Sequence, residues 1–163
     1  MSAGVKIAVR RLEHARDIEL PSYQTPGSSG LDLCAAIAAE ETLALAPGQT
    51  AIVPTGLTLE MPADMEAQIR PRSGLAAKFG ITVLNAPGTI DSDYRGEIGV
   101  ILINHGPVAQ TITRGMRIAQ IVFQKIEKVR LVEAAALSPS KRGAGGFGST
   151  GHGETKAEAE GEE

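Results

Sequence analysis

The segment NAPGTIDSDYRGE (85–97) carries two carboxylates two positions apart, Asp91 and Asp93, with a tyrosine, an arginine and two glycines beside them. A carboxylate at the floor of a closed pocket can orient and deprotonate a water, which makes Asp91 a candidate general base. Asp-x-Asp in a turn also serves turn geometry alone, and both readings stand at this point. In IRPRSGLAA (69–77) an apolar stretch ends at Pro71, and Arg72, Ser73 and Gly74 open a short helix. Ser73 suits a helix N-cap; the same arrangement offers N–H groups, a hydroxyl and the Arg72 charge to an anion. Asp32 interrupts the apolar run SSGLDLCAA, and Gln120 interrupts RIAQIVF. Polar groups carried inward need partners, so Asp32 is expected to hold a partner or a metal-bound water, and Gln120 a partner or a ligand.

The chain from Ser138, SPSKRGAGGFGSTGHGETKAEAEGEE, is rich in Gly, Ser and charge and has little to bury, so a mobile arm is expected. Gly143, Gly145 and Gly148 have G-x-G-x-x-G spacing, but no parallel βαβ unit surrounds them and the acidic strand of a dinucleotide fold has no room to follow. The G-K-[ST] ending of a Walker loop is missing too. Successive N–H groups beside Arg142, Ser149 and Thr150 suit an arm that wraps an oligophosphate. Phe147 gains nothing in such an arm unless it docks on something.

The elements that must position these residues read as many short strands between Lys6 and Val132: KIAVRRL, LDLCAA, TLALA, TAIVP, GLTLEMP, EAQIRP, ITVLN, EIGVILIN, AQTITR, RIAQIVFQKI and VRLVE. Pro and Gly recur too often for long helices, and the spacing suits a sandwich or barrel. Only GLAAKFG (74–80) invites a helix in this body, and NAPGTIDSDYRGE reads as a hairpin. IGVILIN and RIAQIVF are apolar on both faces, which suggests an oligomer.

With 163 residues and 42% apolar content, the chain suits one compact domain. Lys and Arg number 16 against 19 Asp and Glu; residues 154–163 hold five of the glutamates and one lysine, leaving 15 against 14 in the body. A near-neutral body gives little drive toward a nucleic-acid backbone or an anionic membrane. Five aromatics and no Trp make no stacking surface for single strands. No apolar run suits a membrane span or a signal peptide, so a soluble cytoplasmic protein is expected. One cysteine, Cys34, excludes an intramolecular disulfide, and His14, His105 and His152 show no zinc-ligand spacing, so any metal is expected to be oxygen-bound.

Five segments in order, SGLDLCAA, RPRSGLA, NAPGTIDSDYRGE, RGMRIAQ and RGAGGFGSTG, closely resemble the five motifs of the homotrimeric dUTPases, the dUTP diphosphatases. The resemblance spans residues 28–151. It implies a hydrolase that uses Mg²⁺ to cleave dUTP to dUMP and pyrophosphate, limiting uracil incorporation into DNA and supplying dUMP for dTMP synthesis. The implied fold is all-β, a distorted jelly-roll-like (β-clip) barrel with one short helix and a flexible C-terminal arm. It forms a homotrimer whose three active sites each draw on all three chains. The barrel domain would occupy 1–137, the glycine-rich arm of motif 5 residues 138–153, and a disordered, dispensable acidic tail 154–163.

On the same resemblance Asp91 activates the attacking water at the α-phosphorus and bonds the 3′-hydroxyl. Tyr94 packs under the sugar and disfavours ribonucleotides. Asn85 and the backbone around Gly88, Thr89 and Ile90 read uracil, rejecting cytosine by unpaired polar groups and thymine by a rigid backbone. Arg72, Ser73, Gly74 and Gln120 contact phosphates. Asp32 holds magnesium through water, the ion being bound mainly by substrate oxygens. From the arm, Phe147 stacks on uracil while Arg142, Gly148, Ser149 and Thr150 meet the phosphates, and closing this lid excludes other water. The rivals are a dCTP deaminase of the same broad fold, a non-catalytic nucleotide-responsive module, and a purely structural β-trimer. The uracil segment and the complete fifth motif argue against the first, intact Asp91 and Tyr94 against the second, and Phe147 against the third.

Overall fold

The computed structural model describes residues 4–146. The chain divides into two units, Met1–Lys128 and Val129–Glu163. Among the described residues the first contains all of the regular elements: β1 (Ala8–Arg11), a 3₁₀ turn (Glu13–Ala15), β2 (Leu31–Cys34), β3 (Thr42–Leu45), β4 (Thr50–Pro54), β5 (Leu57–Glu60), β6 (Met65–Arg70), α1 (Ser73–Phe79), β7 (Ile81–Val83), β8 (Gly88–Ile90), β9 (Gly99–Asn104), β10 (Gln110–Thr113) and β11 (Arg117–Lys125). All pairings among them are antiparallel. The sheets run β1-β5, β3-β10, β2-β11-β6-β8 and β4-β9-β7, the all-β, jelly-roll-like arrangement that the resemblance implies.

Strand alternation supplies the core. Along β6 Met65, Ala67 and Ile69 are buried while Glu66, Gln68 and Arg70 are half-buried, and along β9 Val100, Leu102 and Asn104 are buried. Successive strand residues point to opposite faces, so each strand gives one set to the interior. Leu33, Leu45, Val53, Ile81, Ile98, Leu102, Ile112 and Ile118 form the fully buried centre. Leu75 is the residue that α1 contributes to this core.

The helix of 74–80 is present, shifted by one residue, and ends where Gly80 takes a left-handed φ of 69°. Gly80 also packs so closely on Gly106 that a Cβ would overlap that backbone. RRLEHARD divides between β1 and the 3₁₀ turn. Within one chain the second apolar face of IGVILIN is only partly covered: Ile101 and Ile103 are half-buried, and neighbouring Ile52 and Leu84 are 71% and 50% exposed. Two expectations need correction. VRLVE forms no strand, because no neighbouring strand pairs with it; Val129, Leu131 and Val132 stand 79%, 93% and 75% exposed. Residues 85–97 are not a hairpin, because β7 pairs with β9 and β8 with β6, so this segment passes from one sheet to the other.

Candidate active site

Two clusters on the first unit gather most of the candidate residues. In the first, Asp32 on β2 lies between two guanidiniums: Oδ1 is 3.0 Å from Arg72 Nε, and Oδ2 is 3.0 Å from Arg117 Nη1. Strand register explains the meeting, since Asp32 pairs with Gln120 on β11 and Gln120 pairs with Arg70 at the end of β6. Arg72, two residues on, turns back over β11 and donates to the Arg117 carbonyl at 3.1 Å. Asp32 therefore has the partner expected of an inward acid. Arg117, from RGMRIAQ, is a cation of this site that sequence reasoning missed; the motif contained it, but nothing in its spacing marked it.

Gln120 also has its partner: Nε2 donates to the Pro71 carbonyl at 3.0 Å, fixing the start of the Arg72–Gly74 turn. A Cβ on Gly30 would run into Gln120 Oε1, so glycine there lets the amide lie flat. Ser73 is not the N-cap. Arg72 occupies that position without a side-chain capping bond, and Ser73 is the first helical residue, its exposed hydroxyl unused by the cap. A groove of about 440 Å³ beside this cluster is lined by Gln68, Arg70, Pro71, Ala86, Pro87 and Gln120. Burial pushes the Cys34 thiol up, with Asp32 adding to the effect, so this cysteine is a poor nucleophile.

In the second cluster, Thr89, Ile90, Asp91, Tyr94 and Glu97 line a cleft of about 180 Å³. A turn closes the segment, with the Tyr94 N–H donating to the Asp91 carbonyl at 3.1 Å. The Asp91 carboxylate takes no part in that turn. Among the described residues it has no ion-pair partner, because Arg95 Nη1 is committed to the Ser92 and Tyr94 carbonyls at 2.7 and 3.0 Å. An exposed carboxylate with free lone pairs, in a cleft, can accept a proton from water. Tyr94 is 45% exposed, with its hydroxyl tied to the Glu97 carbonyl at 3.0 Å. Gly88 is buried against Ile69, and a Cβ there would stand 3.1 Å from Asn85 Nδ2, so the Asn85–Ile90 backbone has little room to shift.

The two clusters do not meet within one chain. β8 runs antiparallel to β6, placing Ile90 opposite Ala67, so Asp91 leaves the sheet beyond Ala67 toward Glu66. Arg72 lies beyond the other end of β6, and the four steps from Glu66 to Arg70 alone span about 14 Å. In the second unit Arg142 Nε donates to the Gly145 carbonyl at 2.8 Å, and the Gly143 N–H to Ser140 Oγ at 3.1 Å, with Gly143 at a φ of 52°. Phe147, Gly148, Ser149 and Thr150, and the acidic tail, lie outside the described residues.

Among the described residues no three His, Cys, Asp or Glu side chains gather as a metal site. Asp32 is the acid that adjoins the arginines. This donor set fits an ion carried by phosphate oxygens and its own waters, with Asp32 accepting from a water, which is how Mg²⁺ is commonly held.

Residues 16–151 match the dUTPase family model. The chain is 56% identical over 151 residues to the deoxyuridine 5′-triphosphate nucleotidohydrolase of Methylocella silvestris, covering 93% of this chain and 94% of that protein. It is 60% identical over 141 residues to that of Rhizobium rhizogenes, covering 86% and 90%. In fold it is similar to the dUTPase of Staphylococcus bacteriophage 80alpha with dUpNHpp, at a TM-score of 0.79 and 24% identity over 90% of this chain and 98% of that one. A dUTPase mutant of the S. aureus phage phi11, whose structure describes the coordination of a structural Mg(II) ion, is similar at a TM-score of 0.69 and 20% identity over 80% and 97%. On the family match and the identity to both nucleotidohydrolases, the chain belongs to the dUTPase family.

Proposed function

We propose that this dUTPase converts dUTP to dUMP and pyrophosphate in sites assembled between chains of a homotrimer, with Asp91 as the general base. The observation that carries the reading is the free Asp91 carboxylate sharing one cleft with Tyr94, in the sequence context that resembles the third family motif. Asp91 accepts a proton from a bound water; the water oxygen bonds to the α-phosphorus, the bond from that phosphorus to the bridging oxygen breaks, and pyrophosphate leaves with the electron pair. Asp91 also holds the 3′-hydroxyl, and Tyr94 blocks the space of a 2′-hydroxyl. Asn85 and the backbone of Gly88, Thr89 and Ile90 read uracil. Gly88, with a packed neighbour on each side, supports a segment too stiff to admit a 5-methyl group.

Arg72, Ser73, Gly74 and Gln120 bind the triphosphate, with Arg142, Gly148, Ser149 and Thr150 of the 138–153 arm, while Phe147 stacks on the base. Asp32 would hold Mg²⁺ through water, and the ion, when bound, offsets phosphate charge. The separation of Asp91 from Arg72 along β6 supports a site shared between chains. So do the outward Ile52 and Leu84 and the exposed Val129, Leu131 and Val132, apolar side chains that a partner chain would cover. No described helix is long and apolar enough to cross a membrane, and the near-neutral body supports neither a membrane nor a nucleic-acid partner. The product supplies dTMP synthesis and its formation keeps uracil out of DNA.

The test is pyrophosphate release with dUTP, dCTP, dTTP and UTP in parallel, with and without Mg²⁺. Release from dUTP alone, dependent on Mg²⁺, is expected. Ammonia from dCTP would point to a deaminase instead, and no turnover of any nucleotide to a binding module.

A further inference from the structure

We propose that Glu97 is a positioning residue for Tyr94, and that the N-terminal turn at His14 and the Gly56 turn are the anchors of this brace. The inference rests on the reading of Tyr94 as the residue that excludes a 2′-hydroxyl. Tyr94 is a half-exposed aromatic whose ring needs something to fix it. Its hydroxyl donates to the Glu97 carbonyl at 3.0 Å, folding the ring over Gly96. A Cβ at Gly96 would overlap the Tyr94 ring and hydroxyl, so the intervening residue has to be glycine for this pose.

The carbonyl that holds Tyr94 is itself held through the Glu97 side chain. Glu97 Oε1 accepts the Gly56 N–H at 2.7 Å and lies 3.1 Å from His14 Nε2. A carboxylate that takes a backbone N–H at this distance makes a strong, charge-assisted bond. Gly56 cannot drift, because its φ of 68° is left-handed and Ala15, 1% exposed, fills the space where a Cβ would be. The Gly56 carbonyl in turn accepts the Leu12 N–H at 2.8 Å. Three segments far apart in sequence thus converge on one carboxylate oxygen directly behind the residue that selects the sugar. An ordinary surface ion pair would leave that carboxylate to solvent; the Glu97 side chain is only 30% exposed.

Among the described residues Glu97 makes no hydrogen bond to the Asp91 carboxylate or to the phosphate-binding arginines, so its loss should act through Tyr94 on which sugar is accepted. The experiment is a double-mutant cycle on the full-length protein with Glu97→Ala and Tyr94→Phe, reading the ratio of kcat/KM for dUTP over UTP, with Tyr94→Ala and Glu97→Gln alongside. Each member of the cycle is expected to lower that ratio about tenfold, and the double variant by no more than either alone. Glu97→Gln keeps an acceptor for Gly56 and should restore most of the ratio. If Glu97→Ala does not fold, His14→Ala removes one anchor and should lower the ratio about threefold. An unchanged ratio in Glu97→Ala, or additive losses, would overturn the brace while a collapsed ratio in Tyr94→Ala kept the reading of Tyr94. An unchanged ratio in Tyr94→Ala would overturn both.

Discussion

Arg72 lies with its Nε 3.0 Å from Asp32 Oδ1, an ion pair in which the side chains are only 27% and 15% exposed. This pair and the bond from Arg72 Nη1 to the Arg117 carbonyl hold the guanidinium over β11. Arg72→Ala is expected to lower kcat/KM for dUTP about 10- to 100-fold while the thermal melt shifts little, because a charge-assisted phosphate contact is lost and no core packing is. Steady-state kinetics with a melt on the same sample decides it; a fold lost with the activity would make Arg72 structural.

Asp32→Asn separates two roles of the acid. The amide still accepts from one guanidinium but loses its charge, so the Mg²⁺ concentration giving half-maximal turnover should rise several-fold with KM at saturating metal changed less. A Mg²⁺ titration of turnover reads this directly, and an unshifted curve would leave Asp32 as an anchor for Arg72 and Arg117 alone.

The distance between Asp91 and Arg72 within one chain predicts complementation. In the proposed trimer, co-expressing Asp91→Asn with Arg72→Ala chains should give a random population in which about a quarter of all sites hold both native residues, with activity near that fraction of wild type and above that of either variant alone. A site built within one chain would give no recovery, because every chain carries a defect.

Arg114 takes both oxygens of Asp17 and also donates to the Ile37 and His14 carbonyls, tying the N-terminal turn to the β10–β11 turn. The Arg114 hydrogen bonds hold the Asp17 carboxyl below its ordinary 3.8. A folded value below the unfolded one gives stabilisation that is present above the ordinary value and lost as pH falls through the folded one. Asp17→Asn should therefore lower the melting temperature slightly near neutral pH, and the gap should close only below about pH 4. Melts from pH 7 to pH 2 test this; a gap that widened on acidification would contradict it.

Much of the fold was legible because alternation is a strong signal: LDLC, MEAQIR and GVILIN each place every second residue inward, and Gly80 ends α1 where GLAAKFG stops. The candidate site was legible wherever a polar residue broke an apolar run, as Asp32 and Gln120 do. Arg117 was not, because its meeting with Asp32 depends on the β2–β11 register, and a bulge between Arg117 and Ala119 shifts that register locally. The course of 85–97 was misread as a hairpin because its turn residues fit one equally well; only the pairing of β7 and β8 with different strands separates the two. Asn104, fully buried, donates to the Leu45 and Val108 carbonyls and accepts from the Gly106 N–H. It closes IGVILIN, and a one-dimensional pattern gives no hint that it is a staple rather than the polar end of a strand.

The Asp91 assignment carries the account, and the most direct test measures dUTP binding and pyrophosphate release together for the wild type and Asp91→Asn. Dissociation constants should agree within about tenfold while kcat falls at least about 10³-fold, because an amide cannot take the proton from the attacking water. Turnover near the wild-type rate in Asp91→Asn would contradict it.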